Sequence, residues 1–248
     1  LSVENIFVPG EKELSKLRGV SFSVRKGEIL GIAGVNGNGQ SELAEAIAGL
    51  RPVQRGRVVL GGAEVQNMPP RRIREHGLSH IPEDRNQRGL DRFSDVKENL
   101  AACSVSEPPL SSLGVIRWGK VREFAEGLIR SYDIRPAGAD IEASGLSGGN
   151  AQKVVVAREV SRKAEMLLAS QPTRGVDIGS IETIRNELNR AKEAGAAVVL
   201  ISSDLEEILS LSDRIAVMFE GRITGEVDSS EADEEKLGLL MTGGGTHV

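Results

Sequence analysis

The sequence predicts an α/β fold with a mainly parallel sheet, and three observations carry that prediction. Short and nearly continuous apolar segments, at residues 29–33 and 197–201, are typical of strands buried on both faces. Segments with apolar residues at helical spacing alternate with them, which favours a sheet covered by helices. The chain has 248 residues, enough to bury a sizeable core.

The first third predicts a strand, a second strand, a glycine-rich loop and a helix. Apolar and serine residues alternate through residues 20–24, as in a half-buried strand. Residues 29–33 predict a buried strand, and the loop at residues 34–39 follows it directly. Apolar residues then recur at helical spacing through residues 43–50.

The middle third predicts a different architecture. Residues 95–164 have a mostly helical pattern, which a Pro/Ser/Gly-rich patch at Ser106–Gly114 interrupts. We interpret this part as a helical subdomain inserted into the α/β core. The core is expected at residues 1–94 and 160–248, and the helical subdomain at residues 95–159.

The last third returns to alternating strands and helices. Residues 166–169 and 197–201 predict buried strands, and the apolar stripe from Ile181 to Ala191 predicts a helix between them. Residues 215–218 and 223–227 predict a final hairpin.

Composition excludes several classes of protein. The net charge of −5 gives no sign of nucleic-acid binding, and we expect no such partner. Apolar segments are far shorter than the ~20 residues that a membrane helix needs. One cysteine, Cys103, excludes an internal disulfide. Arginines cluster locally, and we interpret them as a solvated face with a partner contact as the alternative: Arg71, Arg72, Arg74, Arg85, Arg88 and Arg92.

The glycine-rich loop resembles a phosphate-binding loop with one change. The pattern is glycine, four residues, glycine, lysine, then serine or threonine, and Gly34, Gly39 and Ser41 match it whereas Gln40 replaces the lysine. Backbone amides beside a helix N-terminus favour phosphate. Losing the lysine charge costs about 1–2 kcal/mol of binding. The alternative is a turn that never meets phosphate. The candidate nucleotide-binding residues here are Gly34, Val35, Asn36, Gly37, Asn38, Gly39, Gln40, Ser41 and Glu42.

A second motif begins a predicted helix farther along the chain. It reads Leu146, Ser147, Gly148, Gly149, Asn150. At a helix start, the hydroxyl of Ser147 and the two glycine amides can point at an anion. The motif alone could be a helix cap, but a buried strand at residues 166–169 and the block at residues 170–177 follow it.

Together, the loop, this motif and the later block resemble the ATP-binding domains of ABC transporters over essentially the whole chain. The resemblance implies a P-loop NTPase with a RecA-like, mainly parallel sheet, an N-terminal antiparallel β part and an inserted helical subdomain. Residues 81–85, 171–175 and 237–243 resemble the second (C-terminal) ATPase half of bacterial nucleoside and simple-sugar importers, with the nucleoside branch nearer. Those importers carry two ATPase halves in one polypeptide, so we expect this chain, which begins at Leu1, to be part of a longer one.

The resemblance also implies that the chain's own hydrolytic site is degenerate. The Walker B aspartate falls on Ser170, the catalytic glutamate on Gln171 and the switch histidine on Ser203. An adenine-stacking aromatic is expected near Glu11; none is there, and Phe7 is nearest. No catalytic residue is intact, and losing a general base alone costs about 10²–10⁴ in rate.

The resemblance also assigns roles in nucleotide binding or in the partner's site to several other residues. The Q-loop glutamine falls on Glu83, which we include among the nucleotide-binding residues. Asp177 keeps the D-loop aspartate, and Ser41 keeps a weak Mg²⁺ contact through ATP. Residues 146–150 match the ABC signature, which completes the ATP site of a partner domain in ABC dimers.

The resemblance therefore implies an energy-coupling importer domain that takes ATP and Mg²⁺ but does not hydrolyse ATP usefully alone. Its partners are a first ATPase half or second ABC domain, and membrane permease subunits bound through Glu83–Phe93. It is expected at the cytoplasmic face of the cell membrane, as a peripheral protein. Two alternatives remain: a regulatory or structural ABC domain without a transporter, and an independent ATPase with Glu83, Glu206 or Glu207 as its base.

Overall fold

The computed structural model describes residues 1–10 and 15–244 and contains two compact units. The first unit comprises residues 1–80, 164–171 and 189–248, and the second comprises residues 81–163 and 172–188. The strands are β1 (Ser2–Pro9), β2 (Ser15–Ser23), β3 (Ile29–Ala33), β4 (Arg55–Leu60), β5 (Ala63–Glu64), β6 (Leu78–Ile81), β7 (Ser111–Ser112), β8 (Val115–Ile116), β9 (Met166–Ser170), β10 (Ala197–Ser202), β11 (Arg214–Phe219) and β12 (Arg222–Asp228). The helices are α1 (Gln40–Ile47), α2 (Pro70–Glu75), α3 (Val96–Ala101), α4 (Trp118–Ser131), α5 (Gly148–Ser161), α6 (Ile178–Glu193), α7 (Leu205–Leu211) and α8 (Glu234–Met241). The subdomain bounds expected from the sequence, residues 95–159, stay a prediction.

The first unit contains the expected mainly parallel sheet. Its six strands lie in the order β12–β11–β3–β10–β9–β6, and β3 pairs in parallel with both β10 and β11. Every residue of β3, β9 and β10 is buried. Uninterrupted apolar sequence therefore predicted these three strands correctly. The final hairpin is also confirmed, since β12 returns antiparallel to β11.

A separate antiparallel sheet forms the expected β part near the N-terminus. Its order is β2–β1–β4–β5. The strand predicted at residues 20–24 begins earlier, at Ser15, and ends at Ser23. Strand β1 escaped the sequence pattern because its register shifts between Val3 and Ile6, and the shift breaks the two-residue alternation.

The second unit is mainly helical. Helix α3 begins with a capping box in which Asp95 and Glu98 satisfy each other's backbone amides. The patch at Ser106–Gly114 includes β7, which pairs with β8 in a short hairpin. Within the described part of the chain, no helix is both long and apolar enough to span a membrane.

Candidate phosphate-binding site and signature helix

The parallel sheet of the first unit brings three chain segments to one edge. Ala33 pairs with Ser202, and Ser170 pairs with Ile201, so β3, β9 and β10 end at nearly the same level. The glycine loop, Gln171 and Ser203 begin just beyond these ends. This carboxyl edge is where open α/β sheets bind ligands.

The loop conformation depends on its glycines. Gly39 precedes α1 with a φ of 110°, which a residue with a side chain rarely adopts. A Cβ at Gly34 would lie 2.4 Å from Nε2 of Gln40 and 2.6 Å from the carbonyl oxygen of Met218. The loop therefore keeps the compact backbone that brings amide groups to a phosphate.

Asn38 attaches the loop to the turn between β11 and β12. Its carbonyl oxygen accepts a hydrogen bond from the amide of Gly221 at 2.8 Å, and its Oδ1 accepts one from the amide of Glu220 at 3.0 Å. The sequence motif predicted only a phosphate-binding role for Asn38. No sequence pattern indicated that Asn38 also holds the β11–β12 turn, because its partners there lie at least 182 residues away.

Gln40, in place of the lysine, folds back onto the loop. Its Nε2 donates to the carbonyl oxygen of Val35 at 3.1 Å. Its Oε1 is buried and has no hydrogen-bond partner among the described residues. The side chain thus supplies one amide donor and no positive charge to the loop.

Gln171 connects the loop to the end of β10. Its Oε1 accepts from both the amide and the hydroxyl of Ser203 at 3.3 Å, and its Nε2 lies 3.5 Å from Oδ1 of Asn36. The backbone of Gln171 has a φ of 48°, and its amide donates to Ile201 at 2.7 Å. Two positions predicted to be degenerate are therefore bonded to each other, as a neutral network.

Three side chains beside the loop, from β9 and from the first turn of α1, add no unpaired positive charge to it. Ser170 is 2% exposed, and its hydroxyl has no hydrogen-bond partner in the described residues. Glu42 lies 3.8 Å from Lys16, so its carboxylate is paired with a cation. Ser41 lies exposed in the first turn of α1. Amide and hydroxyl donors of this kind can hold a phosphate, but neither Gln171 nor Ser203 can accept a proton as a general base.

The aromatic residue considered for adenine stacking has another contact. The guanidinium carbon of Arg55 lies 4.3 Å from the ring centroid of Phe7, a cation–π contact. Glu11 lies outside the described residues.

The signature motif lies in the second unit, at the start of α5. Ser147 is the N-cap residue, and its Oγ accepts hydrogen bonds from the amide of Asn150 at 3.4 Å and from its Nδ2 at 2.9 Å. The carboxamide oxygen of Asn150 accepts from the amide of Arg135 at 2.7 Å. Leu146 is extended and precedes the cap. The helix start is thus fixed from both sides.

Arg85 lies beside the signature motif. Its guanidinium donates to the carbonyl oxygens of Arg174 at 2.8 Å and Gly175 at 3.2 Å. A Cβ at Gly148 would lie 2.9 Å from its Nη2. Arg85 is half-buried, and besides facing solvent its guanidinium binds the backbone of residues 174–175. The sequence could not predict this contact, because Arg85 lies 89 and 90 residues from its two partners.

Asp177 packs against the other signature glycine. Its carboxylate accepts from the amide of Ser180 at 3.0 Å and from its hydroxyl at 2.9 Å. Both hydrogen bonds lower the pKa of Asp177 below its usual value, and the bond from the backbone amide of Ser180 has the larger effect. A Cβ at Gly149 would lie 2.2 Å from Oδ2 of Asp177. Glycine is therefore required where the signature and the D-loop meet.

The three glutamates considered as substitute bases have different surroundings. Glu83 belongs to the second unit and forms an ion pair with Arg174 at 2.5 Å. In the first unit, Glu207 is fully buried, whereas Glu206 is exposed in the first turn of α7.

The Glu83–Phe93 segment borders a groove within the second unit. It includes a π-helical turn, Arg85–Gly89, which Asp84 caps by accepting from two amides. Phe93 is 90% exposed at the end of the segment. The groove has a volume of about 380 Å³ and is lined by residues that include Arg88, Leu90, Asp91, Asn99 and Arg158.

Comparison with known sequences assigns the family. The profile of the ABC transporter family matches residues 17–174. The chain is 46% identical over 243 residues to the guanosine import ATP-binding protein NupO of Bacillus subtilis, and 43% identical over 244 residues to the nucleoside import ATP-binding protein NupA of Lactococcus lactis. It is 39% identical over 225 residues to the ribose import ATP-binding protein RbsA of Geobacillus kaustophilus. These matches cover 98%, 98% and 91% of this chain but 48%, 48% and 45% of the relatives, so the chain spans about half their length.

Solved structures show the same fold. A dimeric, post-hydrolysis ATP-binding cassette bound to ADP and Pi matches with a TM-score of 0.80 at 21% identity, over 92% of this chain and 98% of its own. A nucleotide-free ATP-binding cassette from an ABC transporter matches with a TM-score of 0.76 at 29% identity, over 97% and 94%. The predicted α/β P-loop NTPase fold, with its antiparallel N-terminal sheet, is confirmed. The chain therefore belongs to the ABC transporter family, as an ATP-binding domain.

Proposed function

We propose that this chain is the energy-coupling ATP-binding half of an importer of nucleosides or simple sugars, with a degenerate loop of its own and an intact signature for a partner. One observation carries the proposal: an ordered signature helix and a phosphate loop without ionisable catalytic groups occur in the same chain. The import proteins that match over nearly the whole chain support the importer class. Nucleoside importers at 46% and 43% identity and a glucose importer at 44% are about equally similar to the chain, so the proposal covers both classes of solute.

At its own loop, the chain would bind ATP through backbone amides. Residues 34–42 would surround the phosphates, with Gln40 giving a neutral hydrogen bond in place of a charged one. Phosphoryl transfer needs charge opposite the phosphates and a positioned water. The neutral pair Gln171–Ser203 supplies neither, so this loop would hold ATP without useful hydrolysis.

The residues at this loop do not fit a Mg²⁺ ion held by the protein itself. Mg²⁺ prefers carboxylate and phosphate oxygens. The described residues include no cluster of three or more His, Cys, Asp or Glu side chains that could hold a metal. Mg²⁺ would therefore arrive with the phosphates of ATP, with the hydroxyl of Ser41 as a weak ligand.

The signature would act on ATP bound by another domain. Ser147 and the amides of Gly148 and Gly149 would meet the phosphates held by the loop of a first ATPase half or of a second ABC domain. The capped start of α5 and the Asp177 contact support this role, because both position the signature before any ligand binds. One composite site would then be active and the other degenerate.

The Glu83–Phe93 segment would bind the permease subunits. Exposed Phe93 and the groove beside it are suited to an apolar segment with polar flanks. This contact would place the domain at the cytoplasmic face of the cell membrane, as a peripheral protein.

ATP binding and turnover on this chain test the degenerate loop. The comparison variant carries Gln40→Lys, Ser170→Asp, Gln171→Glu and Ser203→His together. We expect weak ATP binding without turnover in the unmodified chain, and about tenfold tighter binding in the variant. Turnover by the unmodified chain at ordinary ATPase rates would refute the degenerate loop.

A second experiment tests the donated signature. The full-length protein that carries this half is reconstituted with its permease, and Ser147→Arg is introduced to block the signature. We expect this change to abolish ATP turnover, whereas Gln40→Ala in the degenerate loop leaves at least half of it. Turnover that is unaffected by Ser147→Arg would contradict the importer role and favour a regulatory domain.

A further inference from the structure

Arg85 joins parts of the second unit that are distant in the sequence. It begins the π-helical turn of the Glu83–Phe93 segment, and two of its nitrogens bind two successive carbonyl oxygens. Nη1 donates to Arg174 at 2.8 Å, and Nη2 donates to Gly175 at 3.2 Å. A Cβ at Gly148 would lie 2.9 Å from Nη2 and 3.1 Å from the carbonyl oxygen of Gly175. The first signature glycine and the start of the D-loop therefore meet around one guanidinium.

This contact depends on the shape of the guanidinium as well as on its charge. The guanidinium of arginine is planar and rigid, so its two outer nitrogens can bind two neighbouring acceptors at once. Lysine carries a compact ammonium on a flexible stem, which does not hold two carbonyl oxygens in one plane. Lysine at position 85 would therefore keep the charge and lose the geometry.

The turn that carries Arg85 is itself bound to the signature helix. The carbonyl oxygen of Gly89 accepts a hydrogen bond at 2.8 Å from Nη1 of Arg158, a buried residue of α5. A Cβ at Gly89 would lie 3.1 Å from Cγ2 of Val155, also in α5. The amide of Leu90 donates to the carbonyl oxygen of Arg85 at 2.8 Å, which closes the turn. The guanidinium of Arg85 is thus held in place relative to α5 before any ligand binds.

A neighbouring ion pair provides a control for the effect of charge. The guanidinium of Arg174 pairs with Glu83 at 2.5 Å, with side chains that are 58% and 30% exposed. Ion pairs with this much exposure contribute little. Arg85 binds only the backbone carbonyl of Arg174, so Arg174→Gln removes the ion pair and leaves both acceptors of Arg85 in place.

We propose that Arg85 is a positioning residue for the ATP site that this chain's signature completes. Its guanidinium would not touch that ATP. It would hold residues 174–175 against Gly148, so that Ser147 and the amides of the signature glycines face the phosphates together. The inference rests on the proposed function, because the position of the signature affects turnover only if a partner's ATP uses it. The partner's own loop would supply most contacts to the nucleotide, so losing Arg85 should lower kcat and leave KM for ATP nearly unchanged.

The test measures ATP turnover by the full-length protein that carries this half, reconstituted with its permease. We expect Arg85→Ala to lower kcat about tenfold, with KM for ATP within about twofold of the unmodified value. Arg85→Lys should be almost as slow as Arg85→Ala, because the ammonium does not replace the planar group. Arg174→Gln should keep kcat within about twofold.

Chemical rescue separates positioning from a folding defect. Methylguanidinium, added to Arg85→Ala far below denaturing concentrations, should raise kcat several-fold, whereas methylammonium at the same concentration should not. A misfolded fraction would not recover when an ion is added to the assay, so equal turnover with either ion would overturn the proposal.

The remaining outcomes distinguish this inference from the function on which it rests. Full turnover in Arg85→Lys, or an equal loss in Arg174→Gln and Arg85→Ala, would refute the positioning role. A raised KM with unchanged kcat would also refute it, because Arg85 would then act on nucleotide binding. If Ser147→Arg abolishes turnover and Arg85→Ala does not lower it, the positioning role alone is wrong. If turnover survives Ser147→Arg, the proposed function itself is wrong.

Discussion

Gly149→Ala tests how the signature is held against the D-loop. The new Cβ would lie 2.2 Å from Oδ2 of Asp177 and 2.7 Å from Oγ of Ser180, distances at which neighbouring atoms must move. Overpacking costs about 1–3 kcal/mol. Losing the bonds by which Asp177 caps the start of α6 costs about 0.5–2 kcal/mol more. We expect the free energy of unfolding to fall by about 2–3 kcal/mol.

Urea denaturation measures this loss, and two other glycines serve as controls. Gly145 and Gly127 have open space where a Cβ would be added, and neither has positive φ. Gly145→Ala should be nearly neutral. Gly127→Ala, inside α4, should stabilise by about 0.5–1 kcal/mol. If Gly149→Ala behaves like either control, the close contact with Asp177 does not constrain the signature.

A double-mutant cycle identifies the contact responsible. Asp177→Ala removes the carboxylate, so Gly149→Ala on that background meets only the rotatable hydroxyl of Ser180. We expect its cost to fall below about 1 kcal/mol, a coupling of at least about 1 kcal/mol. Costs that add within about 0.5 kcal/mol would refute the reasoning.

Three further predictions concern other parts of the chain. Glu159→Gln removes the carboxylate paired with buried Arg158 and should lower the free energy of unfolding by about 3–5 kcal/mol in urea denaturation; a loss below about 1 kcal/mol would contradict it. Gln171→Ala removes the contacts to Asn36 and Ser203, so hydrogen exchange at residues 35–39 should quicken about tenfold, and unchanged exchange would show that the network does not hold the loop. Because Asp177 has a lowered pKa, its stabilising contribution is complete above the unfolded-state pKa and disappears as pH falls through the folded one. Asp177→Asn should flatten stability against pH in that acid range, and an unchanged slope would argue against it.

The features predicted from the sequence are those with a continuous local signal. β3, β9 and β10 are buried on both faces, so their apolar runs are uninterrupted. The signature helix begins at a serine cap, as its motif indicated. In each case, the sequence signal lies in the same residues that form the strand or begin the helix, so the prediction needs no distant partner.

The features that were missed depend on distant partners or on local irregularity. In β1, Asn5 has positive φ at the point where the register shifts. The backbone of β4 lies so close to it that a Cβ added at Gly56 would be 2.4 Å from the carbonyl oxygen of Asn5, so glycine is required at position 56. The bond from Arg85 to Gly175 spans 90 residues. A single sequence carries no record of such pairings, because propensity and periodicity act over a few residues only.

If the loop is degenerate, as we propose, its repair should depend on Ser170 and Gln40 together. Ser170 is 2% exposed, and Ser170→Asp would place a carboxylate there while position 40 is a neutral glutamine instead of the lysine of the phosphate-loop pattern. Burial without a cation raises the pKa of a carboxyl group, and two units would correspond to about 2.7 kcal/mol. For an acid with a raised folded pKa, the destabilisation begins above the unfolded-state pKa and grows until pH passes the folded one.

Ser170→Asp alone should therefore unfold more easily at pH 8 than at pH 4, and adding Gln40→Lys should recover much of the loss. Ser170→Ala is the matched control: the hydroxyl has no partner among the described residues, so removing it should be neutral or slightly stabilising at both pH values. Thermal unfolding of five proteins at the two pH values measures this: the unmodified chain, Ser170→Asp, Gln40→Lys, the two changes together, and Ser170→Ala. Additive effects of Ser170→Asp and Gln40→Lys would mean that the two positions do not interact. In that case, the neutral residues at positions 40 and 170 affect stability independently. Coupling would mean that a neutral residue at one position reduces the cost of a neutral residue at the other.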